Sequence, residues 1–448
     1  MSEPWKQVLS ASLAHRAVNM ACQVAARLSD PMDVERAASI AYAQSNQEIK
    51  VGWHPASVGV GYAGLALLFG QLERCLPGEG WELRAHNCLE LAAYECEDIS
   101  PGLFGGFAGL ALVTWSLSQN GERYAGLLST LDGALFQRLP ELVARVNGES
   151  SGIPSSEYDT ISGLAGIAAY LLVRADGPEY REQLAPVLGA LVRLWEEVDG
   201  RPRWHTPSRF TNYNAEVRRQ FPHGNLNCGL AHGIPGPLAA LSLASLAGIT
   251  ESATEQTIRA MADWLVMNRS DDAWGHNWAN EIGLAAVEGH GDRPHFALEK
   301  PGTPARNTWC YGSAGVAASL ALAGQALGVD RYGSVARDAM RAIMRRPKRE
   351  RAIDSPTLCH GLAGLMQVFT RFAQGVDGDE FVPAVEGIFA EIEEAFEPDS
   401  LLGFRSVELR GLRVDNPGLL EGAPGVALAL LAAGTAASPE WDRILLLA

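Results

Sequence analysis

The chain has 448 residues, 47% of them apolar, and a formal net charge of −16, a balance that suits a folded protein and disfavours tracking of nucleic-acid phosphates or anionic membranes, which needs clustered Lys and Arg. Seven cysteines, at 22, 75, 88, 96, 228, 310 and 359, make no even framework, and a chain of this length needs no covalent staples, so a reducing, cytoplasmic setting is expected. The N-terminus has no charged leader ahead of an apolar run, and the most apolar stretch, 426–437, falls short of the ~20 residues that span a bilayer, so neither a secretory signal nor a membrane span is expected.

In chain order, a G-x-[AP]-G signature occurs as GYAG (61–64), GFAG (106–109), GLAG (163–166), GIPG (233–236), GSAG (312–315), GLAG (361–364) and GAPG (422–425). The spacings between first glycines are 45, 57, 70, 79, 49 and 61 residues. Units of this size stack into one continuous core rather than folding separately. Each signature runs into an Ala- and Leu-rich segment, from LALLFGQL (65–72) to VALALLAAG (426–434), apolar nearly all round, as a buried helix is. Between these lie amphipathic segments such as 180–198, 255–268 and 385–396, whose charged faces suit the outside. Each repeat is therefore expected to be one outer and one inner helix, with glycines letting the turn between repeats pass close to its neighbours. Seven pairs make an all-α fold, an α/α toroid of seven inner and seven outer helices around a central cavity, as a single domain over 1–448.

Two long spacers, 200–231 and 269–308, are rich in Pro, Asn, His and Trp. They are expected to be loops with room for short strands, the kind of segment on which active sites form. Their His205, His223, His276, His290 and His295 are expected to be exposed polar residues, with substrate contact as the other role open to them. Trp204, Trp274 and Trp278 either line a groove or anchor the loops. The basic run 341–351 (RAIMRRPKRER) reads as a solvated helix end and loop.

Cys310 and the pair Cys359-His360 stand at the entrances of the fifth and sixth inner helices, which neighbour one another in such a ring. Two thiolates and an imidazole are the donors zinc prefers, and three protein ligands leave a fourth position open, the arrangement of a catalytic rather than a structural site. Cys22, Cys75, Cys88 and Cys96 read as small buried hydrophobes. Cys228, four residues before His232, stays open as a further ligand on spacing alone.

These motifs resemble the lanthionine synthetase C-like proteins, the cyclases of lanthipeptide biosynthesis, over essentially the full length. The family pattern N-x-G-x-A-H-G-[IL]-x-G is matched by Asn227 to Gly236, R-x-x-x-W-C-Y-G by Arg306 to Gly312, C-H-G by Cys359-His360-Gly361, and Y-D-x-x-x-G-x-x-G by Tyr158 to Gly166. Carried over, the resemblance implies zinc ligands Cys310, Cys359 and His360, with Asp159, His232, Arg306 and Tyr311 around the metal and Cys228 outside the ligand set. Some family members insert a small β-rich domain early in the toroid, and the first two spacings here leave little room for one.

The implied reaction is intramolecular addition of a peptide Cys thiol to the β-carbon of dehydroalanine or dehydrobutyrine. Its implied partners are a dehydrated precursor peptide with its leader, a separate dehydratase and an exporter in a biosynthetic complex. In it, Arg306 offers a permanent cation to the enolate oxygen. His232 is the candidate general acid, with Asp159 holding its tautomer, and Tyr311 either positions substrate or shares the proton transfer. Asp159 has a second reading as a helix cap, and Arg306 one as a loop salt-bridge partner. An alternative is a noncatalytic zinc protein of the same fold that binds thiols such as glutathione or acts as a scaffold. A toroidal glycosidase ranks last, because Asp159 and Glu421 are the only carboxylates at signature turns and they do not form a pair.

Overall fold

The computed structural model describes residues 4–97, 99–148, 152–198, 200–211, 215–287 and 295–448. Parts of both long spacers, 212–214 and 288–294, which include His290, lie outside the described residues, as does the side chain of His295. Each signature opens a helix as expected: Tyr62–Cys75, Phe107–Leu117, Leu164–Val173, Pro235–Leu246, Ser313–Leu327, Leu362–Ala373 and Ala423–Gly434. Their burial is nearly complete, and in Ala423–Gly434 every residue is buried. With no polar face to show to water, such a segment is stable only when enclosed by others.

The chain forms two compact units, one from 1–100, 104–133 and 353–444, the other from 101–103, 134–352 and 445–448. In the first, Tyr62–Cys75 packs on the amphipathic helix Trp81–Tyr94, and Leu362–Ala373 on Val382–Glu394. The last inner helix, Ala423–Gly434, is covered by the N-terminal helix Ala11–Arg27, and the chain start is pinned there by Val8 and Leu9 N–H donating to the Ala433 carbonyl, each at 3.0 Å. In the second unit the pairs are Leu164–Val173 with Pro178–Arg193, Pro235–Leu246 with Thr254–Met267, and Ser313–Leu327 with Asp330–Arg345. Thr254–Met267 shows the outer pattern, burying Ile258, Met261 and Leu265 at helical spacing. The expected helix over 180–198 stops at Arg193, and Glu197–Val198 pairs instead with Arg201–Pro202 as a short hairpin.

Neighbouring repeats are stitched at the signature. At four of the seven signatures the residue two before the first glycine donates its N–H to the carbonyl at the same position of the next repeat: Gly59 to Phe104 at 3.1 Å, Ala231 to Cys310 at 3.3 Å, Cys359 to Leu420 at 2.9 Å and Leu420 to Gly59 at 3.3 Å. The second glycine allows this approach. A Cβ on Gly425 would sit 2.7 Å from the Leu358 side chain, one on Gly64 2.9 Å from Leu419, and one on Gly315 2.9 Å from Leu230. Each contacted residue lies three before a neighbour's first glycine, so one spacing rule serves both units. Gly312 alone among the signature glycines has a left-handed backbone, φ +83°, and a Cβ there would meet the Arg306 carbonyl at 1.9 Å.

The described parts of the long spacers are loops that carry short strands, as expected. Asn225–Asn227, Glu281–Val287 and His295–Leu298 form a three-stranded antiparallel sheet with Asn227 opposite Glu281. Trp204 and Trp278 are fully buried, which makes them anchors rather than groove lining. His205 is buried too, contrary to the exposed reading: its Nδ1 lies 2.9 Å from the Pro202 carbonyl. The basic run is only partly solvated. Arg346 is buried against Asp272 at 2.6 Å, Arg345 donates to the Trp274 carbonyl beside it, and Arg351 is also enclosed. Among the described residues, 62–173 contains no strand and thus no β-rich insert.

Candidate functional site

The position directly before each first glycine is held by Val60, Gly105, Ser162, His232, Tyr311, His360 and Glu421. Four of the seven are chemically versatile side chains, each mounted on the rigid turn that the crowded glycine defines.

In the second unit these turns assemble a polar cluster. Asp159 is fully buried, and its two oxygens have different partners. Oδ1 accepts from the N–H groups of Ser162 at 2.7 Å and Gly163 at 3.0 Å, while Oδ2 lies 2.7 Å from His232 Nδ1. Asp159 is not the helix cap, a position held by Gly163 with no side-chain cap; its Oδ1 closes the turn that precedes Leu164–Val173 while Oδ2 meets the imidazole. Because Oδ2 of an ionised carboxylate can only accept, Nδ1 carries the proton and Nε2 is turned away from Asp159. The His232 side chain is 41% exposed. Burial lowers its pKa, but the hydrogen bond and charge of Asp159, with the charges of Cys310 and Glu281, outweigh burial and hold it above the ordinary histidine value.

Tyr311 joins this cluster, its ring centre 6.4 Å from that of His232. Asn227 fixes it: the amide oxygen accepts from Gly229 N–H at 3.0 Å, so the amide nitrogen faces the Tyr311 hydroxyl, also at 3.0 Å. Cys310 is buried, with Sγ 3.4 Å from Thr308 Oγ1. Arg306 begins the same tight turn and is exposed; among the described residues it has neither a carboxylate partner nor a hydrogen bond to Asp159, His232 or Tyr311. Cys228 is buried and points its Sγ at its own strand, 3.6 Å from the Leu226 carbonyl, and burial pushes its thiol pKa far up.

Glu281 escaped the sequence reading. Burial pushes its carboxyl up to about 7, against an opposing pull from His232. The only sequence signal was a carboxylate in a polar spacer; its place opposite Asn227 depends on strand register.

In the first unit, Cys359, His360 and Glu421 bring one donor atom each within 4.8 Å of one another. Thiol, imidazole and carboxylate are all donors that zinc accepts, so the chemistry of the group suits such an ion. His360 Nδ1 is 3.0 Å from Glu421 Oε1. Among the described residues no helix is long and apolar enough to cross a membrane.

Residues 52–446 match the family model described as lanthionine synthetase C-like protein. The nisin biosynthesis protein NisC of Lactococcus lactis subsp. lactis is 25% identical over 348 residues, 76% of this chain and 79% of that protein. The solved structure of a nisin cyclase superposes with a TM-score of 0.72 at 22% identity, covering 89% of this chain and 93% of that one. That likeness shows the fold, an α/α toroid, as the seven signatures led one to expect.

Proposed function

Because the chain belongs to the lanthionine synthetase C-like family, we propose that it is a zinc-dependent lanthipeptide cyclase, working as a single domain that adds peptide Cys thiols to dehydroalanine or dehydrobutyrine to form lanthionine and methyllanthionine rings. The proposed ligands are Cys310, Cys359 and His360. The observation that carries the catalytic reading is the buried Asp159 holding His232 by Nδ1, since a protein that merely bound thiols would need the metal ligands alone. Cys310, Cys359 and His360 would hold a zinc ion, which would favour the thiolate of an incoming thiol whose free pKa is ~8.5.

The remaining chemistry falls to side chains. As sulfur bonds to the β-carbon, the alkene electron pair moves onto the α-carbon and amide oxygen, and negative charge develops on that oxygen. Arg306, exposed and without a carboxylate partner among the described residues, is available as the cation that meets it. His232, protonated at Nε2 when charged, delivers a proton to the α-carbon, and Asp159 stabilises the imidazolium before transfer and the Nδ1–H tautomer after it. Asn227 donates to the Tyr311 hydroxyl at 3.0 Å, which supports a role for Tyr311 in positioning substrate or sharing the proton transfer.

The substrate in this reading is a dehydrated precursor peptide with its leader, made by a separate dehydratase and passed to an exporter, in the cytoplasm. The test is to incubate the zinc-loaded protein with a dehydrated, Cys-containing precursor and count free thiols by alkylation, because ring closure leaves the peptide mass unchanged. Thiols should disappear with time; their persistence with the cognate peptide refutes the proposal.

A further inference from the structure

Two signatures carry a histidine directly before the first glycine, His232 and His360. Each presents Nδ1 to a carboxylate from an adjacent repeat: His232 to Asp159 at 2.7 Å and His360 to Glu421 at 3.0 Å. The Glu421 carboxylate is mounted on a stiff base. Leu420 N–H donates to the Gly59 carbonyl at 3.3 Å, and its carbonyl accepts from Cys359 N–H at 2.9 Å, the residue beside His360. Gly422 on the other side is so enclosed that a Cβ would lie 2.0 Å from the Asn416 carbonyl oxygen.

We infer that Glu421 is the positioning carboxylate of the metal centre: it accepts the Nδ1 proton of His360, fixes the ring's tautomer and orientation, and leaves Nε2 as the atom that faces the metal. The inference rests on the zinc reading above and adds to it. A neutral imidazole has one protonated and one bare nitrogen, so the nitrogen that donates to the carboxylate cannot ligate, and the donation makes the other nitrogen more basic. Direct ligation by Glu421 would also suit the 4.8 Å cluster. The 3.0 Å contact of Nδ1 with Oε1 is what favours the positioning role, and the cobalt spectra below separate it from direct ligation. The same His–carboxylate device then serves twice in one chain, orienting an acid at His232 and a ligand at His360.

The experiment compares the full-length wild type with E421Q, E421A and E421D in zinc titrations against a competing chelator, and in the optical spectra of the cobalt(II) forms. Wild type and all variants should take up one metal per chain at saturation. Affinity should fall ~10–100-fold in E421A, as expected for loss of a carboxylate behind a ligating histidine, with smaller losses in E421Q, whose amide oxygen can still accept, and in E421D. The cobalt spectrum should keep its thiolate bands and coordination number throughout. Unchanged chelator resistance in E421A overturns the inference, and so does a cobalt spectrum that loses an oxygen donor. A wild type that binds no zinc, or a Cys359→Ala variant that keeps wild-type affinity, would instead overturn the ligand assignment. Apo E421A should unfold at the same denaturant concentration as apo wild type; if it fails to fold, the near-isosteric E421Q carries the comparison.

Discussion

Asp159→Asn should damage ring closure far more than stability. The amide oxygen can still accept from Ser162 and Gly163, so the turn into Leu164–Val173 is retained. What is lost is the charged acceptor of His232 Nδ1 at 2.7 Å, where the amide can only present N–H groups. A hydrogen bond to a charged partner is worth about 1.5–3 kcal/mol, and at about 1.4 kcal/mol per factor of ten this corresponds to a ~10–150-fold slower rate. The ceiling is the ~10²–10⁴-fold expected if His232 ceases to act as an acid altogether. The pH profile moves in a defined direction. Asp159 is the main influence raising the His232 pKa against burial, so the acid form survives to higher pH in wild type, and the alkaline limb of activity should shift to lower pH in the variant. For stability, the pair contributes fully below the ordinary histidine pKa, and the contribution fades as pH rises through the raised one. Asp159→Ala differs, because the buried Gly163 N–H is left without a partner, adding a stability cost of about 1–3 kcal/mol. Thiol-alkylation time courses between pH 5.5 and 9, with urea melts of both variants, measure all of this. An Asn variant with wild-type rate and an unmoved alkaline limb would show that Asp159 only closes its turn.

Three further outcomes follow from the packing. Gly425→Ala places a Cβ 2.2 Å from the Leu419 carbonyl oxygen and 2.7 Å from Leu358, and overpacking of this kind should cost about 1–3 kcal/mol, seen as a lower urea midpoint with an unchanged slope. Arg346→Met leaves Asp272 without its buried partner at 2.6 Å; breaking such a pair should cost about 3–5 kcal/mol, whereas the pair Arg346→Met with Asp272→Leu should recover part of it, and equal melts for all three would refute a buried role. His205 is held neutral by burial, its pKa pushed down to about 4. Its contribution to stability is therefore complete above the ordinary value near 6.5 and is lost as pH falls through about 4, so its ring resonances should not titrate between pH 7 and 5.

The sequence alone was enough for the seven inner helices and for the family. A helix opener is written in consecutive residues, and the glycine pair marks a crowded turn wherever it occurs. The grouping of Asp159, His232 and Tyr311 was also legible, through motifs rather than distances. Tertiary structure decided the rest, because each case joins segments far apart in the chain. The helix Ala11–Arg27 covers Ala423–Gly434 although an entire chain separates them, and an amphipathic face does not name its partner. Glu281 meets the cluster through a strand register with Asn227, and a shift of one residue would turn it away. Arg346 looked solvated because neighbouring charges hide burial; only Asp272, brought in by a folded spacer, makes it a core residue. Glu421 was visible as an isolated carboxylate, but its meaning lies in the 3.0 Å to His360, a distance set by how two repeats stack and written in neither of them.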